Sequence, residues 1–282
     1  MKKGLMLEFP IIEYEQRLNK LIKQMNVYGL DAVILTSDEN TYYFSGFQSI
    51  VWISKVSTPG VLVITKDGDM MISSSKGGVG TAVATSCVED IRYYGKDSKY
   101  STYAKSIVSI LEERGIKNGR IGFEIGLGQK MHLSYKDRED LFKELRDAEI
   151  VDASDALWAV RNIKSPLEID RIRKCCEINI QGIEKGYKSL YEGMTELELY
   201  RTIVQEYFKL GAEYALPLGI RAGMDRIPQS NCTPSERKIR RGDVILVDGG
   251  PVYKGYYSDI IRQGVIGNPT DEQYDMFNVA RE

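Results

Sequence analysis

Strand and helix patterns alternate along the first 150 residues, and this alternation is the feature that most restricts the fold. Apolar residues at helical spacing cover 11–28, Gly29 ends that pattern, and residues 31–36 form an apolar strand pattern. The remaining predicted elements are a β-hairpin with arms 60–65 and 70–73, helices at 101–114 and 134–146, and strands at 120–124 and 148–152. Strands and helices in this order predict an α/β unit.

A change of pattern near residues 153–165 predicts a domain boundary. Ser165–Glu168 reads Ser-Pro-Leu-Glu, a capping box with proline at the first helical position, and it predicts a long helix. Thr195–Glu198 is a second capping box that opens another helix. Because 282 residues exceed one average domain, we predict an α/β domain over 1–155 and an α+β domain over 156–282.

The second domain contains a hairpin pattern with one aspartate on each arm. The apolar run Val244–Val247 leads directly into Asp248 and predicts a strand buried on both faces. Glycines and a proline interrupt the pattern, and a second strand containing Asp259 follows. With a turn at Tyr253–Lys254, the two aspartates are equally far from the turn and face each other, with Cβ atoms about 4.5–5.5 Å apart.

Two carboxylates at this separation require a counter-charge. In an apolar setting they cannot both ionise unless a cation lies between them. A hard divalent metal ion prefers oxygen ligands of this kind. Arg262 offers another partner, since its guanidinium could pair with either aspartate. From the hairpin alone, a metal site and a structural ion pair both stay open.

Composition argues against several functional classes. The net charge is −2, so no overall field attracts the chain to nucleic acid or to an anionic membrane. No apolar run approaches the roughly 20 residues of a transmembrane helix. The first ten residues contain too few apolar side chains before Glu8 for a signal peptide. We therefore expect a cytoplasmic chain with no membrane or nucleic-acid partner.

Three further motifs favour structural roles. Cys175 and Cys176 are adjacent and have no Cys-x-x-Cys spacing, so we interpret them as packing thiols. His132 is the single histidine, and one histidine cannot build a His-rich metal site. Gly77–Gly80 lacks the third glycine of a dinucleotide-binding loop, because Val83 stands at that position. This segment predicts a turn.

The chain resembles the aminopeptidase P, prolidase and creatinase family, whose catalytic domain has the pita-bread fold. The residues that carry this resemblance lie at 29–35, 40–46, 161–168 and 193–196, and most specifically at 240–248 and 255–262. The resemblance implies an α/β N-terminal domain followed by an α+β pita-bread catalytic domain.

The resemblance also implies a binuclear metal site in which Asp248 chelates one metal ion and Asp259 bridges two. Manganese is the expected divalent metal, with cobalt, zinc or iron as alternatives. The implied reaction hydrolyses an amide-type C–N bond of a small peptide, often before a proline, in a homodimer. The family completes the site with a histidine and two glutamates downstream of the second aspartate. Since the chain ends at Glu282 and no histidine follows His132, we expect a C-terminally truncated chain that binds metal weakly and does not turn over.

A second departure from the family lies at Asn231. Placing Arg237–Ile239 on the family pattern puts Asn231 where a catalytic histidine usually lies. Asparagine can donate a hydrogen bond to an oxyanion but cannot titrate near neutral pH. This substitution weakens the case for a proline peptidase. The alternatives are a creatinase-like hydrolase of a small non-peptide C–N metabolite and a non-catalytic homologue.

Overall fold

The protein divides into two compact units. The computed structural model describes residues 1–2, 4–54, 58–215 and 218–281, and the units are Met1–Ile163 and Lys164–Glu282. The predicted boundary between residues 155 and 156 falls inside a helix of the first unit, Ser154–Arg161. That helix belongs to the first unit because its Leu157 and Val160 side chains pack in the core of that unit.

The first unit is built around one mixed sheet. Its strands are β1 Ala32–Leu35, β2 Gly60–Thr65, β3 Met70–Ser75, β4 Asp90–Tyr94, β5 Arg120–Phe123 and β6 Glu149–Asp152, in the order β4-β3-β2-β1-β5-β6. The β3–β4, β1–β5 and β5–β6 pairs are parallel, and the β1–β2 and β2–β3 pairs are antiparallel. Its helices are α1 Ile11–Tyr28, α2 Asp38–Ser45, α3 Ile50–Ser54, α4 Val79–Thr85, α5 Tyr103–Glu113, α6 Tyr135–Glu144 and α7 Ser154–Arg161.

Helices cover both faces of this sheet. Alternate residues of β1 point to opposite sides, so Val33 packs with α1 and α7 while Ile34 packs with α5 and α6. The two resulting cores account for the full burial of β1 and β2, whose sequences are apolar apart from the terminal Thr65 of β2. The predicted α/β architecture of the first half is confirmed, and α1 ends as predicted at Gly29, whose φ is +64°.

The described residues of the second unit form three helices and two small antiparallel sheets. The helices are α8 Pro166–Lys188, α9 Glu196–Lys209 and α10 Asp271–Arg281. The strands are β7 Tyr214–Ala215, β8 Gly219–Ala222, β9 Val244–Gly249, β10 Pro251–Tyr253, β11 Tyr256–Tyr257 and β12 Ile260–Val265. One sheet has the order β11-β10-β7 and the other β12-β9-β8.

Local signals define the two long helices of this unit. Ser165 Oγ accepts from the Glu168 amide at 3.2 Å, and Glu168 Oε2 accepts from the Ser165 amide at 2.9 Å, so the predicted capping box is present. Thr195 forms the equivalent box at the start of α9. The helices approach closely at Gly182, where a Cβ atom would lie 2.3 Å from the Tyr207 ring. No helix in the described part of the chain combines the length and hydropathy that crossing a bilayer requires.

Candidate functional site

The hairpin that carries the two aspartates turns one residue later than the sequence predicted. Tyr253 pairs with Tyr256, which leaves Lys254 and Gly255 as the turn residues. Both have positive φ, +49° and +75°, as the two-residue turn that matches strand twist requires. Because glycine adopts this conformation without strain, the turn at Lys254–Gly255 replaces the predicted turn at Tyr253–Lys254.

This shift moves the aspartates out of direct opposition. Asp248 pairs with Ile261 across β9 and β12. Asp259 directly precedes β12, and since side chains alternate it shares the face of Ile261; the buried Ser258 and exposed Asp259 fit this alternation. Asp259 is therefore the diagonal neighbour of Asp248, two residues from its direct partner Ile261. In a regular antiparallel ladder, diagonal neighbours are about 7–8 Å apart. The predicted direct pairing is therefore wrong, and strand alternation puts the two carboxylates on one face of the hairpin as diagonal neighbours.

The sheet that contains Asp248 has one buried and one partly exposed face. The inner face packs in the core with α8 and α9 through Ile220, Ala222, Ile245 and Val247. On the outer face the Asp248 side chain keeps 34% of its surface exposed. The prediction of a strand buried on both faces is wrong, because within the described residues only the inner face of β9 is covered by helices.

Arg221 is the cation that lies beside Asp248. It stands on β8, whose residue Gly219 pairs with Asp248, so Arg221 projects from the same outer face. Its Nη2 atom is 3.4 Å from Asp248 Oδ2. This distance exceeds the roughly 2.7–2.9 Å of a strong charge-assisted hydrogen bond. Asp248 therefore has a positive neighbour but a weak bond to it.

Asp259 and Arg262 do not form the ion pair that the sequence left open. Asp259 is exposed and makes no hydrogen bond or ion pair with the described residues. Arg262 donates from Nη1 to the Ile261 carbonyl at 2.9 Å and, within the same part of the chain, pairs with neither aspartate. The Asp259 carboxylate is thus available to an external cation.

A buried polar network fixes the backbone between the two aspartates. Asn179 of α8 donates from Nδ2 to the Gly249 carbonyl at 2.8 Å and to Ser258 Oγ at 3.2 Å, and its Oδ1 accepts from the Tyr207 hydroxyl at 2.6 Å. Burial raises the pKa of Tyr207 above its usual range, so at neutral pH it remains a donor. A Cβ atom on Gly250 would lie 2.2 Å from the Ser258 carbonyl oxygen. These contacts position the two arms relative to α8 and α9.

A second buried group, Glu196, anchors the loop 223–235. Its carboxylate is fully buried. Oε1 accepts from the Ala222 amide at 2.9 Å and from Arg226 Nε at 3.3 Å. Oε2 accepts from Arg226 Nη2 at 3.0 Å and from Ser235, at 3.0 Å from the amide and 2.7 Å from the hydroxyl. Glu196 therefore fastens both ends of the loop to the start of α9.

This loop brings Asn231 into the region of Asp248. The carbonyl oxygen of Cys232 and the Cβ of Asp248 lie 3.8 Å and 3.7 Å from the position that a Cβ on Gly219 would take. Asn231 itself is exposed and has a φ of +61°, a left-handed conformation that asparagine tolerates better than most residues. The three predicted site residues, Asp248, Asp259 and Asn231, thus belong to neighbouring segments of one unit.

Sequence reasoning missed Arg221, Glu196 and Asn179. A glutamate in the first helical turn ordinarily faces solvent and interacts with the helix dipole, so the position of Glu196 alone gives no signal of burial. Arg221 and Asn179 reach Asp248 and Gly249 across 27 and 70 positions of the sequence. No local pattern specifies contacts over such separations.

The other candidates have structural surroundings. The Cys175 thiol is buried and lies 3.2 Å from the Pro251 carbonyl oxygen, as expected of a packing thiol. His132 lies in the first unit, with Nδ1 3.7 Å from Asp38 Oδ1. Residues 77–80 form a 3₁₀ turn and the first residues of α4, which agrees with the predicted turn.

Comparison with protein families identifies both units. Residues 17–163 match the creatinase/prolidase N-terminal domain, and residues 170–282 match metallopeptidase family M24. The chain belongs to the creatinase/prolidase family. By family it is therefore a metallopeptidase, with the pita-bread architecture in its second half.

Relatives and solved structures extend beyond the aligned region. A peptidase of Staphylococcus aureus described as uncharacterized is 28% identical over 268 residues, which cover 94% of this chain and 70% of that protein. The structure of a Xaa-Pro dipeptidase from Bacillus anthracis aligns with a TM-score of 0.80 and 23% identity over 95% of this chain and 70% of that one. The prolidase from Pyrococcus horikoshii OT3 aligns with a TM-score of 0.73 and 25% identity, covering 94% and 69%.

The creatinase/prolidase assignment implies divalent metal ions, and the two aspartates fit part of such a site. Both offer carboxylate oxygens, the ligand type that hard divalent ions prefer. No group of three or more His, Cys, Asp or Glu side chains suited to a metal ion occurs among the described residues. Asp248 and Asp259 are therefore suitable in chemistry but too few to complete a site.

Proposed function

We propose that this chain carries part of the catalytic machinery of a metal-dependent peptidase of the Xaa-Pro type, in which Asp248 and Asp259 ligate divalent metal. The proposal rests on the pairing of Asp248 with Ile261 across β9 and β12 in a domain of family M24, from which strand alternation puts Asp248 and Asp259 on a common face. Neither carboxylate is neutralised by a short ion pair within the described residues, since the contact of Asp248 with Arg221 is 3.4 Å long. The names of the solved relatives, a Xaa-Pro dipeptidase and a prolidase, support the substrate class.

The residues of this chain contribute ligand placement and hydrogen bonding. When bound, a pair of divalent ions supplies Lewis-acid activation of water and of the scissile carbonyl. Asn179 fixes the Gly249 carbonyl and Ser258, and so sets the spacing of the two ligand-bearing arms. The amide of Asn231 can donate to a developing oxyanion but cannot transfer a proton near neutral pH.

The number of ligands leads us to expect weak metal binding. Two carboxylates offer at most four oxygens, whereas hard divalent ions take about six ligands. No further cluster of potential ligands joins them in the described part of the chain. We therefore expect residues 1–282 alone to bind manganese weakly and to lack turnover. Manganese as the metal, a homodimer and a cytoplasmic location stay predictions.

A non-catalytic homologue is the second candidate, and Arg221 favours it. Its guanidinium places a positive charge next to Asp248 without any metal. A creatinase-like hydrolase of a small C–N metabolite remains the alternative substrate class that follows from Asn231. Because residues 1–282 alone are expected not to turn over, hydrolysis assays with Xaa-Pro dipeptides and with amidino or cyclic metabolites in the presence of Mn²⁺ separate these functions only in a longer chain that supplies further metal ligands.

Carboxylate removal tests the proposal directly. Wild type, Asp248→Asn, Asp259→Asn and Asp275→Asn are titrated with Mn²⁺ while the free ion is followed by electron paramagnetic resonance. Asp275 is exposed on α10 and controls for loss of one negative charge. Loss of a residue that only hydrogen-bonds to a metal ligand typically weakens metal binding about 10- to 100-fold. We expect Asp248→Asn and Asp259→Asn, which each remove a ligand itself, to weaken Mn²⁺ binding by more than this. Equal binding by Asp248→Asn and wild type would contradict the metal assignment.

A further inference from the structure

Arg221 is a largely buried cation without a good partner. Its side chain is only 12% exposed. Nη2 lies 3.4 Å from Asp248 Oδ2, Nη1 lies 3.5 Å from the Ile227 carbonyl oxygen, and Nε has no hydrogen-bond partner in the described part of the chain. Hydrogen bonds from nitrogen to oxygen are normally about 2.7–3.2 Å long. All three guanidinium nitrogens are therefore poorly satisfied.

The position of this guanidinium couples it to any metal ion on Asp248. A divalent ion lies about 2.0–2.6 Å from its carboxylate oxygens, and Nη2 lies 3.4 Å from Oδ2. A metal bound to Oδ2 would then be at most about 6 Å from the guanidinium nitrogen. This separation is shorter than the screening length of roughly 8 Å at physiological ionic strength, so salt screens the repulsion between the two cations only in part.

We propose that Arg221 is an internal counter-cation of Asp248 that competes with divalent metal for this carboxylate. The inference rests on the proposed metal site and deepens it, because it names a residue that sets metal affinity. Without metal, the guanidinium supplies the charge that the partly buried Asp248 needs. With metal, the guanidinium opposes the second cation, and the long contacts allow it to withdraw at little cost.

A purely structural ion pair makes the opposite prediction. If Arg221 only braced β8 against β9, its removal would disturb the position of Asp248 and leave metal binding unchanged or weaker. If it competes with metal, its removal strengthens binding. The direction of the change in metal affinity therefore separates the two roles.

The test compares Mn²⁺ binding by Arg221→Met, Arg221→Gln, Arg221→Lys and wild type over residues 1–282. Methionine keeps much of the side-chain volume without charge, glutamine serves if methionine prevents folding, and lysine keeps the charge. Arg201→Met, on the exposed side of α9, controls for net charge. We expect at least tenfold tighter binding when Arg221 becomes neutral, and affinities within about threefold of wild type for Arg221→Lys and Arg201→Met.

Two results would overturn the inference in distinguishable ways. Unchanged or weaker binding by the neutral Arg221 variants, while Asp248→Asn still abolishes binding, refutes competition and leaves the metal site standing. Mn²⁺ binding that is insensitive to Asp248→Asn in both the wild-type and the Arg221→Met backgrounds refutes the metal site itself. Circular dichroism without metal confirms that each variant is folded.

Discussion

Replacing Glu196 by alanine removes the anchor of the loop that carries Asn231. The substitution removes the Glu196 carboxylate from five donor atoms, which are the Ala222 amide, Arg226 Nε and Nη2, and the Ser235 amide and hydroxyl. Removing one partner of a buried ion pair typically costs about 3–5 kcal/mol, because the other charge stays desolvated. Here Arg226 is 16% exposed and retains the Gln229 side chain and the Thr233 carbonyl as acceptors. We therefore expect Glu196→Ala to lower the free energy of unfolding by about 3 kcal/mol, at the lower end of that range.

Tryptophan fluorescence provides an internal control for the unfolding of Glu196→Ala, because it reports on the unit that does not contain the substitution. The two tryptophans, Trp52 and Trp158, both belong to the first unit. Urea unfolding followed by far-ultraviolet circular dichroism reports on both units, whereas tryptophan fluorescence reports on the first. Glu184→Ala, on the exposed side of α8, is the matched surface variant and should change the free energy of unfolding by less than about 0.5 kcal/mol.

Hydrogen exchange tests the same reasoning at single residues. The amides of Ala222 and Ser235 donate to Glu196, so both should exchange faster in Glu196→Ala than in wild type. The anchoring role is refuted if Glu196→Ala unfolds at the same urea concentration as Glu184→Ala. Unchanged protection of the two amides would refute it as well.

The remaining predictions concern the hairpin network and the first unit. Asn179→Ala leaves the Tyr207 hydroxyl and the Gly249 carbonyl without their hydrogen-bond partner. We expect this substitution to lower the free energy of unfolding by about 1–3 kcal/mol and to weaken Mn²⁺ binding. An unchanged free energy of unfolding in urea would contradict the role of the network. Glu39 is an exposed residue near the start of α2, yet desolvation of its carboxyl, and next a hydrogen bond with Asp38, raises the pKa of Glu39 to about 7. The folded chain thus holds a proton that the unfolded chain releases between about pH 4.5 and pH 7, so stability falls as the pH rises through that window. Urea unfolding followed by tryptophan fluorescence measures the free energy of unfolding at pH 5 and pH 8. The decrease in this free energy from pH 5 to pH 8 should be smaller in Glu39→Gln than in wild type, and an equal decrease would disprove the raised pKa of Glu39.

Features that depend on near neighbours in the chain were predictable. The capping boxes at Ser165 and Thr195 join residues three positions apart, and α1 ends at the predicted glycine. The alternating pattern of the first half predicted its α/β architecture, because an amphipathic helix or an apolar strand can bury its apolar face in only a few ways. Asp248, Asp259 and Asn231 were selected as site residues from sequence motifs and the family resemblance, and their roles stay predictions.

The relation between the two aspartates depended on the backbone at one turn. A turn at Lys254–Gly255 in place of Tyr253–Lys254 shifts the partner of Asp248 by two residues, from Asp259 to Ile261. The sequence contains the glycine that permits this turn, but the choice between adjacent turns depends on the pairing of both complete arms.

The surroundings of the candidate ligands were decided by tertiary structure. Arg221 reaches Asp248, Glu196 reaches Ser235 and Asn179 reaches Gly249 only because β8, β9, α8 and α9 pack against one another. Such contacts join residues that are distant in the chain, and their formation depends on how whole elements pack. The sequence alone therefore determined which elements form and which residues are candidate ligands, whereas the packed structure determined which charges and hydrogen bonds act on them.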